Sequence, residues 1–561
     1  MTATEFRTDE TTLGWRATLL LLIYGCSLYL INLGDARVLT HHEVFFAEPA
    51  REMLLSGEWL MTPYGGMIIN HKPPLTYWVI AAAMTLFQSS AEWVIRLPFV
   101  LATVGLGLLM AHLGAHWFGR RIAILTGLIQ LTAFYTLMQG RLAESDILLT
   151  FFVAAAMVLF AEGALPGPTG EVSNDRWRRP LFFLMTALAF MTKGPIAIIF
   201  IGGGCGLTIL LTRQWRSMRF FISPLGWLFM AAFVVGWPLA AYLKDPNVIA
   251  DWKRHNLDRF AGKFGEPGGH RPFAFYFYVV PLLLMPWTPF LAYGLWASLR
   301  EKIARKPQSL FLWSWALVGI LFLSLSDWKH KHYCIPVLPP LSVLMAYGVE
   351  RCFFDPKRWR LPVIATISLL LIGEGVGIAI VSMLKPEILA AVALLATALV
   401  AGASLAVVAD KRSSTWWSLG AIFGATWVVA ALVQSVMMPH FDSYRDQTIL
   451  AHEINKRLPD GRTVHMVDLR ENQISFYLRW PIHRTDDADL FCSDRVAAST
   501  EDLYVVGPRS LGAKMAEVAD VQTLTECATL RRIMSEEDRL TLYRVTPTVA
   551  QIGSHETPSA R

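Results

Sequence analysis

From residue 15 to residue 438 the chain is a succession of apolar runs of roughly 20 residues, each long enough to cross a ~30 Å hydrocarbon layer. No other feature limits the fold as strongly, because lipid offers a backbone amide no partner outside its own helix. Charged residues make up 17% of the chain, against about 25% in a soluble domain, and the mean hydropathy is +0.41. The expected fold is an α-helical polytopic membrane protein. The net charge of +6 then reads as lysine and arginine gathered in cytoplasmic loops facing anionic lipid. With no zinc-finger spacing, helix-turn-helix pattern or long basic arm, nucleic acid is excluded as a partner.

The runs fall at 15–34, 73–90, 94–117, 121–140, 146–163, 180–194, 195–212, 220–243, 273–297, 309–325, 333–350, 361–382, 388–409 and 415–438. The second decides the topology. If 73–90 does not cross, the basic clusters Arg120–Arg121, Arg176–Arg179, Arg213–Arg219, Arg300–Lys306, Lys357–Arg360 and Lys411–Arg412 share one side, as the positive-inside rule requires. If it crosses, all six move outside while Arg7 and Arg16 stay in. The segment also opens on Pro73 and Pro74 and follows a polar loop, which suits an interfacial helix. About 13 transmembrane helices result, with the N-terminus inside and a retained first span rather than a signal peptide. Outside lie the loop 35–93, the loop 244–272 and everything after 438.

Residues 1–438 form the expected transmembrane domain and 439–545 a small α/β domain on the non-cytoplasmic side. In the latter, residues 444–458 have helical periodicity, and TVHMV, LYVVG and LTLYRV read as strands. The polar tail 546–561 is expected to be disordered. Cys492 and Cys527 lie in this region, where an oxidising compartment would permit a disulfide that spacing alone cannot fix. The other four cysteines read as small buried hydrophobes.

Polar clusters beside a membrane are costly and point to function. Six share the expected outer face. The first, THHEVFFAEPAREML, brings His42, Glu43, Glu48 and Glu52; a solvated amphipathic helix is the competing reading. The second, NHKPPL, brings His71 and Lys72. His42, Glu43 and His71 together are a possible divalent-metal set, although their spacing is no zinc signature. Arg141, Glu144 and Asp146 come next; Asp146 supplies a site carboxylate or simply caps a helix start. Lys193, before Gly194 and Pro195, either snorkels to the interface or holds a phosphate. SDWKHKHYCIP packs Lys329, His330, Lys331, His332 and Tyr333 together, against the positive-inside trend. The loop 244–272 adds Arg259 among other cations, with an aqueous loop as its alternative.

Carboxylates act as bases or metal ligands, and cations stabilise a phosphate leaving group as its charge develops. An apolar body around them suits a lipid-tailed donor. Nucleotide sugars are made in the cytosol, so an outer-facing enzyme would use a donor already carried across. The chemistry expected is glycosyl transfer from a polyprenyl phosphate.

The order of motifs is an acidic pair after the first span, REMLLSGEW (51–59), KPPLTYW (72–78), EWVIRLP (92–98), Asp146, KGP (193–195), and Lys329 with Tyr333 and Pro336. This order resembles the GT-C glycosyltransferases related to protein O-mannosyltransferases, and within them the lipid A aminoarabinose transferase subgroup. The resemblance runs over about residues 15–438 and weakens beyond. It implies a bacterial inner-membrane enzyme with a periplasmic C-terminal domain, and an undecaprenyl-phosphate-linked sugar donor. The acceptor would be an envelope lipid such as lipid A, or another envelope glycan. By position it matches Glu43, Glu48, Arg51 and Glu52 to the first-loop motif, Asp146 to the second acidic position, and Lys72, Lys193, Lys329 and Tyr333 to the remaining motifs. With the clusters above, the expected catalytic residues are Glu43, Asp146 and His42, and the expected donor-phosphate ligands are Lys72, Arg141, Lys193, Lys329, Lys331, Tyr333 and Arg259. The chain departs from the family pattern in having His42 for an aspartate and His71 for a glutamate. Other readings are a protein O-mannosyltransferase relative, a polyprenyl-phosphate lipid transporter, which the lack of an inverted repeat disfavours, and an inactive scaffold. Membrane lipids are expected partners, and a monomer is the expected state.

Overall fold

The computed structural model describes residues 12–34, 38–69, 72–167, 176–263, 269–300, 305–354, 415–439, 448–458, 461–468, 474–479, 481–526 and 540–547, with Val172 and scattered positions in 362–402. The spans expected at 361–382 and 388–409, Cys527, His71 and nearly all of the tail lie outside the described residues.

Along the chain run α1 (Trp15–Leu30), α2 (His41–Ser56), the strands β1 (Pro63–Tyr64) and β2 (Met67–Ile68), α3 (Leu75–Phe87), α4 (Glu92–Phe118), α5 (Arg120–Thr132), α6 (Phe134–Gln139), α7 (Ser145–Ala164), α8 (Arg178–Lys193) and α9 (Ile196–Thr212). Then come α10 (Pro224–Lys244), α11 (Val248–Trp252), α12 (Phe275–Leu283), α13 (Thr288–Arg300), α14 (Pro307–Leu325), α15 (Leu338–Phe354) and α16 (Thr415–Leu432). The last part holds α17 (Thr448–Arg457), β3 (Val464–Val467), β4 (Ile482–Thr485), β5 (Leu503–Pro508), α18 (Arg509–Ala516), β6 (Ala519–Glu526) and β7 (Leu540–Pro547).

Two compact units divide these elements: residues 1–36 with 70–437, and residues 37–69 with 438–561. The first is the helical unit. Among its described residues six helices are long and apolar enough to span a membrane, or seven if α12 and α13, bent by 109°, make one broken span. α7 is central, with 78% of its apolar window buried, whereas α10, at 17%, presents most of its surface outward. α3 has 13 residues, about 20 Å of helix, well short of a ~30 Å core. It packs on α4 and α8.

The second unit joins the first-loop segment to the chain end, so the grouping differs from the sequence expectation, which placed 35–93 with the spans. The reason is hydrogen bonding that no local pattern reveals. Gly65 and Gly66, at φ 59° and 80°, turn the β1–β2 hairpin as a two-residue loop does best. The Gly65 carbonyl accepts from the Arg484 amide at 2.6 Å, and a Cβ on Gly65 would sit 2.7 Å from that of Arg484. The sheet runs β4-β3-β5-β7-β6, with β3 parallel to β4 and β5, and β7 antiparallel to its neighbours. The three strands expected from sequence are present; β4 and β6 were not foreseen. Cys492 is buried and carries no disulfide among the described residues.

Candidate active site

In the helical unit the polar residues of five chain segments converge. α8 ends on Lys193, where Gly194 takes φ 79° and reverses the chain, and α7 begins at Ser145. The two helices pack against each other, bringing Lys193 Nζ to 2.5 Å from Asp146 Oδ1. Asp146 is buried, and in the first turn of α7 its charge also meets the positive end of the helix dipole. The Lys193 ammonium lies 4.8 Å from the centre of the Tyr333 ring, within cation–π range. The 3-10 turn Lys331–Val337 that carries Tyr333 packs on α7.

Lys72 stands at the head of α3 and shares this field. Burial and the positive charges of Lys193 and Arg259 push its ammonium down to about 8, partly offset by Asp146 and Glu144. A Cβ on Gly194 would lie 4.0 Å from both Pro73 and the Asn256 side chain, so the KPP and KGP turns and the segment after α11 meet at one point. His255, beside Arg259, Arg254 and Lys72, is pushed down to about 4, burial being the larger cause. The loop bearing Arg259 is tied to the histidine-rich segment through main-chain bonds, Asp327 N to Phe260 O at 3.0 Å and Lys329 N to Gly269 O at 2.9 Å. Lys72, Lys193, Arg259, Asp146 and Tyr333 are thus brought together.

Other expected phosphate ligands have different surroundings. Lys329 is buried, and its ammonium donates to the main-chain carbonyls of Ser326 and Arg271, which makes it a clip for its own loop. Lys331 is exposed. Arg141 is buried and donates to Ile31 O at 2.6 Å, while Arg96 donates to Leu33 O at 3.1 Å; both satisfy carbonyls just past the end of α1. Sequence reasoning counted His330 and His332 only as members of a cationic cluster, yet their rings stack at 5.3 Å and 13°, and His332 meets Tyr333 edge to face at 4.7 Å.

The opposite end of the helices carries a second charged group. Glu162, four turns along α7 from Asp146 and roughly 24 Å away, pairs with His112 at 2.6 Å and Arg178 at 3.2 Å. Arg121 covers the Phe354 ring at the far end of α15. The basic clusters 120–121 and 176–179 therefore sit at the end away from Asp146 and Lys193.

In the other unit, α2 carries the first-loop motif. Thr40 and Glu43 form a capping box: the Thr40 side chain accepts from the Glu43 amide, and Glu43 accepts from the Thr40 amide at 2.9 Å. His41 and His42 are exposed. Glu48 pairs with Arg51 at 2.6 Å, Arg51 donates to Phe476 O at 2.9 Å, and Glu52 accepts from the Gly65 amide at 2.6 Å. Burial pushes Glu48 up to about 7, with Arg51 opposing and Glu52 adding to the shift. Three of the four residues that match the family motif thus brace the hairpin and the sheet. Among the described residues no three histidine, cysteine or acidic side chains form a metal-ligand group.

Residues 71–239 match the family described as dolichyl-phosphate-mannose-protein mannosyltransferase. The chain is 28% identical over 379 residues to the undecaprenyl phosphate-alpha-4-amino-4-deoxy-L-arabinose arabinosyl transferase of Edwardsiella ictaluri, covering 66% of each protein. It is 28% identical over 337 residues to the second such transferase of Proteus mirabilis, covering 59% of each. The matched stretches thus span about three fifths to two thirds of these relatives. The fold is that of the crystal structure of ArnT from Cupriavidus metallidurans bound to undecaprenyl phosphate, at TM-score 0.76 and 19% identity, over 96% of this chain and 99% of that one. The similarity expected from the motifs is present in domain content, in relatives and in fold.

Proposed function

We propose that this chain, with its mannosyltransferase-type domain on an ArnT-like fold, is an integral-membrane glycosyltransferase of the GT-C type. It moves a sugar from undecaprenyl phosphate to an envelope lipid, with lipid A as the first acceptor to test. The observation that carries this reading is the grouping of Lys72, Lys193 and Arg259 with the carboxylates Asp146 and Glu144 at one end of an apolar helical unit. When the bond from the anomeric carbon to the phosphate oxygen breaks, negative charge grows on the phosphate. Cations already in place stabilise that charge without reorganising. Asp146 holds the Lys193 side chain in place through their 2.5 Å ion pair, so the anion site is preformed. The surrounding apolar helices suit a polyprenyl tail. Transfer also depends on Glu43 and His42 of the first loop.

Thirteen spans place this end of the helices, and the segment after 438, on the periplasmic side. That arrangement is supported by the separation of the clusters 120–121 and 176–179 from Asp146 and by the shortness of α3. A reporter fused after Arg561 should then be periplasmic. The decisive experiment is mass spectrometry of envelope lipids and glycopeptides from cells with and without the protein. A sugar lost from a lipid fraction supports the proposal. A sugar lost from serine or threonine of peptides favours protein O-glycosylation, which the description of the matched family domain raises. Unchanged lipids and peptides would overturn both.

A further inference from the structure

In KHKHYCIP (329–336) the Tyr333 ring meets the Lys193 ammonium and His332 lies in the field of Asp146 and Lys193, whereas Lys329 is bound to its own loop and Lys331 is exposed. Trp328 Nε1 lies 2.8 Å from His330 Nε2. An indole nitrogen only donates, so Nε2 of His330 is the acceptor and its ring proton sits on Nδ1. The His330 carbonyl accepts from the Tyr276 hydroxyl at 3.0 Å, which fixes the backbone as well. His332 stacks on this held ring and meets Tyr333 at 88°, while the other side of the Tyr333 environment is the Lys193 ammonium. The charged and titratable groups that act on His332 come from every neighbouring segment: Asp146 from α7, Lys193 from α8, Lys72 from before α3, and His330 from its own turn.

We propose that His332 is a proton-linked anion-binding residue, which takes a proton from solvent as the donor's phosphate enters beside Lys72 and Lys193. This deepens the proposed function and rests on it. Without a phosphate, a proton on His332 is opposed first by burial, and it would also add positive charge beside two ammoniums and a stacked imidazole, against the Asp146 carboxylate. A phosphate reverses that balance, and the imidazolium then donates to a phosphate oxygen. The proton also matters at the end of the reaction. The donor phosphodiester carries one negative charge and the released polyprenyl phosphate approaches two, so a protonated His332 offsets the charge gained by the leaving group. Lys329 has two of its three ammonium hydrogens committed to the Ser326 and Arg271 carbonyls.

The test is calorimetric binding of an undecaprenyl hexosyl phosphodiester, whose charge does not titrate between pH 5.5 and 7.5, to the full-length protein in lipid nanodiscs. Buffers of different ionisation enthalpy report the protons taken up. Proton uptake is read at pH 5.5–6.5, where Lys72, at about 8, already carries its proton, so uptake belongs to a histidine. The wild type should bind with uptake approaching one proton. Its affinity should fall toward tenfold per pH unit on the alkaline side of the histidine's titration. His332→Gln should bind 3- to 10-fold more weakly with no uptake, and His330→Gln should keep the uptake. Binding by the wild type without uptake, or with affinity independent of pH, overturns the inference and leaves the proposed function standing; this arm needs no variant to fold. Uptake that persists in a folded His332→Gln protein also overturns it. No binding at any pH overturns both.

Discussion

Lys193 at the end of α8 and Asp146 at the start of α7 close a 2.5 Å ion pair, although 47 residues separate them. The pair is largely buried, with side-chain exposures of 12% and 6%. Removing one partner of a buried pair leaves the other uncompensated, at a cost of about 3–5 kcal/mol. Asp146→Asn and Lys193→Met should each lower transfer at least about 100-fold, the scale set by losing one preorganised electrostatic group. The double variant Asp146→Asn/Lys193→Met should recover stability but not activity. Thermal unfolding of the purified proteins alongside a donor-transfer assay separates the two effects; wild-type transfer in either single variant would remove these residues from the site.

Lys72 gives the reaction an alkaline limb. A lysine held at about 8 loses its charge as pH rises through that value, and with it the attraction for phosphate. The donor KM should therefore rise above pH 8 in the wild type. Lys72→Arg, which does not deprotonate, should flatten the profile up to pH 9. A wild-type KM that stays constant from pH 7 to 9 would contradict the assignment.

Glu43 has a structural task in the capping box and a proposed role in transfer, and two substitutions distinguish them. Glutamine serves a capping box as glutamate does. Glu43→Gln should keep α2 intact and lose transfer, whereas Glu43→Ala should also destabilise its unit by about 1 kcal/mol. Hydrogen exchange of residues 40–56 in the intact protein reads the helix. Full transfer by Glu43→Gln would leave Glu43 with the cap alone.

Glu48 and His465 pull the stability of their unit in opposite directions with pH. Glu48 moves from 4.5 up to about 7 on folding, so its contribution is present at low pH and fades as pH rises past 4.5 toward 7. His465 moves from 6.5 down to about 4, mainly through burial, so its contribution is present above 6.5 and is lost as pH falls toward 4. Each amounts to roughly 3 kcal/mol, and between pH 4.5 and 6.5 they nearly cancel. The opening free energy of β3, taken from amide exchange after division by the intrinsic rate, should be almost flat with pH in the wild type. It should fall toward acid in Glu48→Gln and toward neutral pH in His465→Gln. The same pH profile in all three proteins would refute the opposition.

Much of the helical unit was legible because lipid forces each crossing to be a long apolar run and pushes charge to its ends. Asp146 and Lys193 stood out for that reason. The carbonyl contacts of Lys329 were hidden, since nothing local shows that residues 269–271 fold against 326–329. His332 was visible in KHKHY but was read as part of a cationic cluster, because ring stacking has no sequence signature at that spacing. THHE did contain the capping box in plain form, and its catalytic reading obscured it. The tasks of Arg51 and Glu52 were out of reach: Phe476, which receives Arg51, lies 425 residues away. β6 alternates too weakly in polarity to declare itself, and β4 is only four residues long.

That distance also sets a timetable for synthesis. At roughly 5–20 residues per second, a ribosome needs on the order of 20–85 s after making Arg51 before it makes Phe476. Throughout that interval the apolar face of α2 and the Glu48, Arg51 and Glu52 side chains lack the sheet they will brace. The first loop therefore matures last, after the spans that follow it have been inserted. A chain that stalls anywhere before β3 carries an unfinished first loop even when most of its helices are already in the bilayer.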